Sequence, residues 1–169
     1  MKKQHVKRIV FAASFAALTF CATFLFLPLP MGNINLGDTP MLLGAWILGG
    51  PFAALASAVG ASLADLFAGY SVYAPATFLI KAAAPLAAMA MRKLTSRLPS
   101  YISLLISALV AEAVMALGYL LYEGFFLYGF PVAILNLPFN LIQGGVAVVI
   151  APLLMQLLSS TRLLTNLKE

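Results

Sequence analysis

Charge is what this 169-residue chain lacks most. Only 9% of its residues are Asp, Glu, Lys or Arg, against roughly 25% in soluble domains. That shortage excludes a soluble globular domain. One cysteine, Cys21, excludes an internal disulfide framework and any cysteine cage for a metal. The only histidine, His5, lies in the N-terminal tail. Ser-His or Cys-His nucleophilic catalysis and histidine-based metal hydrolysis therefore have no base or ligand set. No Gly-x-x-x-x-Gly-Lys-Ser/Thr loop is present, so ATP is not bound and hydrolysed in that way. An enzyme is not expected, nor is a cofactor.

What the chain has instead is apolar length. Hydrophobic residues make up 63% of it, the mean hydropathy is +1.01, and 39–64 and 133–161 hold no charge. A spanning helix needs about 20 apolar residues, so the composition is that of an all-α, multi-pass membrane protein forming one domain over 1–169. The run from Ile9 to Leu27 exceeds the about 7–15 residues of a cleaved signal core and reads as a retained helix. Apolar runs and breakers predict helices at 6–27, 38–49, 52–68, 74–91, 101–123 and 131–159, with a Pro28/Pro30/Gly32 loop and a Gly49-Gly50-Pro51 turn. With six spans, both termini and the 92–100 loop lie on the cytoplasmic side with every Lys and Arg except Lys81. The positive-inside rule favours this count over five spans. The same clusters give the net charge of +5, which reads as orientation signal and lipid contact rather than affinity for nucleic acid.

The second helix is short: about 12 residues cover only about 18 Å of a 30 Å hydrocarbon core. The loop at 28–37, which resembles a re-entrant segment, is expected to fold over the outer mouth. Irregular backbone at that depth is tolerated where it is buried in protein or lines a cavity.

Polar groups within the spans mark the rest of the site. Glu112 sits near the middle of the fifth helix, too short to reach water, and Tyr119 and Glu123 continue its face outward. Lys81 lies a turn below Thr77, and an Asp65–Lys81 pair is expected between neighbouring helices, either structural or touching a ligand. Asn136, Asn140 and Gln143 share one face of the sixth helix, and Pro138 and Gly144-Gly145 interrupt it. Interhelical bonding is worth only about 0.6–2 kcal/mol per contact, so three amides in register read as a ligand surface. Tyr70 and Tyr73 take the ordinary reading of interface aromatics, and Trp46 reads as core or interface rather than site. On the first helix, Ala12/Ala16 and Ala13/Ala17 form two overlapping small-x-x-x-small pairs that allow close helix approach, within the chain or to a partner.

The stretches Asn33-Ile-Asn-Leu-Gly-Asp-Thr-Pro, Leu48-Gly-Gly-Pro, Gly60-Ala-Ser-Leu-Ala-Asp-Leu-Phe-Ala-Gly-Tyr and Tyr73-Ala-Pro-Ala-Thr-Phe-Leu-Ile-Lys81 resemble the substrate-binding S components of energy-coupling factor (ECF) transporters, in the riboflavin- and hydroxymethylpyrimidine-type branch. Ala82 to Pro85 departs from the family pattern, which places glycines there. The resemblance implies a subunit of an ABC-type importer in a prokaryotic cell membrane. Such a subunit captures a vitamin from outside and docks on a transmembrane coupling subunit driven by two cytoplasmic ATPases. It also implies that the 28–37 loop caps the pocket and that Ala12, Ala13, Ala16 and Ala17 meet the coupling subunit. The expected substrate-binding set is Asn33, Asp38, Asp65, Tyr73, Lys81, Glu112, Tyr119, Asn136, Asn140 and Gln143. Acids, a single base, amides and tyrosines favour a small heteroaromatic such as hydroxymethylpyrimidine or a pyridoxine-like compound, with riboflavin as the alternative. A self-sufficient secondary transporter or channel is the rival class.

Overall fold

The computed structural model describes residues 2–29 and 32–160. Pro30 and Met31 of the expected cap, and Arg162 and Lys168 of the cytoplasmic charge set, lie outside the described residues. Six α-helices form the body: α1 (Lys2–Phe24), α2 (Asp38–Ile47), α3 (Gly50–Phe67), α4 (Ala74–Leu94), α5 (Ser100–Tyr122) and α6 (Phe130–Ser160). Between α1 and α2 stands a hairpin of two short antiparallel strands, β1 (Leu27–Leu29) and β2 (Gly32–Ile34), with Pro28 opposite Asn33. Among the described residues, five helices are long and apolar enough to cross a membrane; α2 is not.

Several boundaries move from expectation for local reasons. The first helix ends at Phe24 rather than 27, because Pro28 disfavours helix at the residue before it and the chain turns into β1. The sixth helix is not interrupted: α6 runs through Pro138 and Pro152 without a break. Likewise α4 passes through Pro85, which is buried in it. The turn from α2 to α3 needs Gly49 and Gly50, whose φ angles are +68° and +57°, a region that residues with a Cβ rarely enter.

α2 explains the layout. Short as it is, it touches α1, α3, α4, α5 and α6, and its Asp38, Thr39, Met41, Leu42, Gly44 and Ala45 are buried. It is the central post of the bundle. Around it α1 packs on α3, α3 on α4, α4 on α5 and α5 on α6. The α1–α3 crossing is close because residue 60 is glycine, where a Cβ would collide with the Ala16 carbonyl. Towards the Arg92–Arg97 end the core is built largely of alanine: Ala45, Ala84, Ala88, Ala108, Ala111, Ala147 and Ala151, with Met41 and Leu42. Small side chains let helix backbones approach and seal that half by dispersion contact. Trp46 packs on this core, and its indole N–H donates to Ser107 Oγ at 3.1 Å.

Candidate functional site

At the opposite end the helices surround a cavity of about 430 Å³. Its walls come from β2 and the segment after it, the C-terminal end of α3, the N-terminal end of α4, the end of α5 and the first half of α6. Tyr70, Tyr73, Tyr119 and Tyr128 supply aromatic surface. The Tyr73 ring lies 6.5 Å from that of Tyr70 and 6.4 Å from that of Tyr119, centroid to centroid.

The end of α5 departs from α-helical geometry. Residues Glu123–Leu127 form a π-helical turn, and the N–H groups of Tyr128 and Gly129 both return to the Glu123 carbonyl, at 2.9 and 3.2 Å. Such turns recur at functional sites because they shift side chains off the regular helical face. Here both Glu123 and Tyr128 line the cavity. The Tyr73 hydroxyl donates to Glu123 Oε1 and the Asn136 amide to Glu123 Oε2, each at 3.1 Å. Burial, with Tyr128 and Glu123 beside it, pushes the Tyr73 phenol above its ordinary range, so it remains an O–H donor. One turn deeper on the same pair of helices, Thr77 Oγ1 and the Tyr119 hydroxyl share a hydrogen bond of 2.9 Å.

Beneath lies a buried ionic floor. Lys81 forms an ion pair with Asp38, both almost wholly removed from solvent. The second Asp38 oxygen accepts the Gln143 amide N–H at 2.6 Å, and the Lys81 ammonium lies 5.9 Å from the centre of the Tyr119 ring. The expected Asp65–Lys81 pair is therefore replaced by Asp38–Lys81. Asp65 lies on the cavity wall farther out, whereas Asp38, in the first turn of the central helix, lies level with the ammonium. Glu112 is buried below, its carboxyl oxygens without a partner and its side chain against Gly144 of α6.

Of the residues singled out in the sequence, Asn33, Asp65, Tyr73, Tyr119, Asn136, Asn140 and Gln143 line one cavity, while Asp38, Lys81 and Glu112 lie outside its lining. Sequence reasoning passes over Asn35, Tyr128, Val132 and Phe139, reads Tyr70 as an interface aromatic and Thr77 only as a neighbour of Lys81, and puts Glu123 on the polar face of Tyr119 without naming it as a ligand contact; all seven line the cavity. Two of these left a readable trace. Asn33 and Asn35 alternate with the period of a strand, and Glu123 falls one turn beyond Tyr119. Tyr128 left none, because the π-turn breaks the helical period. The paired alanines face different ways: Ala13 and Ala17 are exposed, Ala12 and Ala16 half-buried.

In chemical terms the cavity offers flat aromatic walls, amide donors and acceptors, and two carboxylates. Among the described residues no group of three metal-binding side chains forms.

The model of the family described as "ECF-type riboflavin transporter, S component" matches residues 3–160. A solved structure described as the S component of a bacterial ECF transporter superposes with a TM-score of 0.76 at 27% identity, covering 92% of this chain and 97% of the other. No curated protein matches the chain. With nearly the whole chain matched and the fold shared, this is a multi-pass protein of the prokaryotic cell membrane, a transport subunit and not an enzyme. It belongs to the S components of ECF transporters, which bind small vitamins and associate with a transmembrane coupling subunit and its ATPases.

Proposed function

We propose that the vitamin is riboflavin, bound in the cavity between the hairpin and α3–α6. The observation that carries this reading is the size and lining of that cavity. About 430 Å³ falls within the roughly 300–1,000 Å³ of sites that enclose drug-sized ligands, more room than a single-ring pyrimidine or pyridine fills. An inventory of polar residues cannot supply that volume, which is why the sequence alone favours the smaller compounds. The family description points the same way. Tyrosine faces suit a flat fused-ring system, and offset or edge contacts to it add about 0.5–1.5 kcal/mol each beyond burial. Asn33, Asn35 and Asn140 supply donors and acceptors of the kind that a polyhydroxylated chain and a ring imide require.

The bundle sits with both termini and the Arg92–Arg97 turn inside, so that the cavity opens outward. In this reading α2 makes a sixth, short crossing, and the hairpin completes its outer portion. The exposed Ala13 and Ala17 offer the coupling subunit a surface for close helix approach.

The test is titration of purified protein with riboflavin, read by flavin fluorescence, alongside mass spectrometry of any ligand carried through purification. Saturable riboflavin binding with no competition by pyridoxine or hydroxymethylpyrimidine is expected. Tight binding of either single-ring compound and none of riboflavin overturns the assignment.

A further inference from the structure

Gln143 occupies a place in this site that ligand contact alone does not explain. Its Oε1 accepts the backbone N–H of Asn35 at 3.0 Å, and its Nε2 donates to Asp38 at 2.6 Å. Asn35 belongs to the segment between β2 and α2, Gln143 to α6, and Asp38 to the first turn of α2, where it also holds Lys81 of α4. One buried amide therefore joins the segment over the cavity to the ion pair beneath it. The segment is organised for that contact: the Asn35 side chain accepts the Gly37 N–H at 2.9 Å, and the Leu36 N–H reaches the Ala22 carbonyl of α1 at 3.2 Å. The direction of the amide is set by its partners. A backbone N–H requires an acceptor and a carboxylate oxygen requires a donor, so neither bond survives if the group is turned over.

We propose that Gln143 is a positioning residue that latches the 33–37 segment over the cavity, so that opening of the segment requires release of the Asn35–Gln143 bond before a ligand enters or leaves. The proposal rests on the reading of this cavity as the vitamin site. In ligand-free protein the segment is then held by the chain itself, and the Asp38–Lys81 pair acts through Gln143 rather than by touching ligand. Removing the latch accelerates ligand association and dissociation together and changes the equilibrium constant less than either rate.

The experiment first uses a probe that involves no ligand. Asn33→Cys in a Cys21→Ser background is labelled with a membrane-impermeant maleimide. In the same protein, Gln143→Leu is expected to raise the labelling rate about tenfold, the loss of one or two buried hydrogen bonds. Gln143→Glu, which keeps the acceptor for Asn35 and loses the donor to Asp38, raises it less. Leu141→Ala, on the exposed face of α6, leaves it unchanged. A second measurement, hydrogen exchange of the 33–37 amides, serves if the leucine variant does not fold: Gln143→Met, close in volume and without either bond, then has to speed exchange there while α3 and α5 stay protected. Labelling and exchange unchanged in every folded Gln143 variant overturn the latch. Faster labelling together with no riboflavin binding by the parent protein, which retains Asn33, upholds the latch and removes riboflavin as the ligand. Stopped-flow binding supplies the last arm: a higher dissociation rate with an unaltered association rate identifies Gln143 as a plain ligand contact and overturns the proposal.

Discussion

Two halves of this bundle, divided by the Asp38–Lys81 pair, are held together by different means. The half towards Arg92–Arg97, the inner one in the proposed orientation, is closed by alanine. Ala84, Ala88, Ala108, Ala111, Ala147 and Ala151 bury almost completely, so its helices meet backbone to backbone with little polar content. The outer half is held by side chains that hydrogen-bond across helices: Tyr73 and Asn136 to Glu123, and Thr77 with Tyr119. There a cavity remains between the helices. In lipid, association gains little from burying apolar surface and depends on close packing and interhelical bonds. Close packing in one half leaves the other free to be open and polar. The division lies where the sequence changes from Tyr, Asn and Thr to Ala along the same helices.

The boundary carries the largest expected effect. Lys81→Met leaves Asp38 buried without its counter-charge, and removing one member of a buried pair costs about 3–5 kcal/mol, a large part of a typical stability of about 5–15 kcal/mol. We expect poor yield or early thermal unfolding in detergent. Replacing both members, Lys81→Met with Asp38→Leu, should recover most of the loss, since no buried charge then remains. A single variant as stable as the parent would show that the pair does not hold the two halves together.

A smaller effect separates the halves directly. Ala108→Leu places a larger side chain where nothing gives way, and overpacking of this kind costs about 1–3 kcal/mol. Its melting temperature should fall while the folded fraction binds riboflavin as before. Asn140→Ala should do the reverse: about 1 kcal/mol of binding, roughly fivefold in affinity, with melting unchanged. Comparable loss of stability in both variants would mean that the outer half is as structural as the inner one.

How far the sequence revealed this division depends on the kind of signal. The helices were legible because the apolar runs are long and the breakers between them strong; the short α2 followed from the Gly49-Gly50-Pro51 turn and the placing of Lys and Arg, and the loop folded over it from length arithmetic. Asn136, Asn140 and Gln143 were legible because a regular helix places them on one face. The partner of Lys81 was not, since Asp38 comes from a distant segment and only the central position of α2 brings it level with the ammonium. Pro138 misled for a related reason. It removes one helical N–H, which an otherwise continuous, well-packed helix tolerates. Volume has no sequence signature at all, and the smaller vitamins were favoured for want of it.

The smallest effect on the isolated protein is expected on α1. Alanine spacing there left open whether the pairs pack within the chain or against a partner. Ala13 and Ala17 are exposed, so leucine at both positions has room to point away from this chain and the overpacking cost that applies to Ala108 does not arise. Melting and riboflavin affinity should match the parent. Against a partner helix the same change separates the backbones and removes the close contact that small residues permit. ATP-driven uptake and co-purification with the coupling subunit should then be lost together while binding persists. Ala12 and Ala16, half-buried on the side of the α1–α3 crossing, provide the contrast: leucine there should lower melting first. Uptake retained with Ala13→Leu and Ala17→Leu combined would move the docking surface off this face, and lowered melting in that variant would place the face within the body of the bundle.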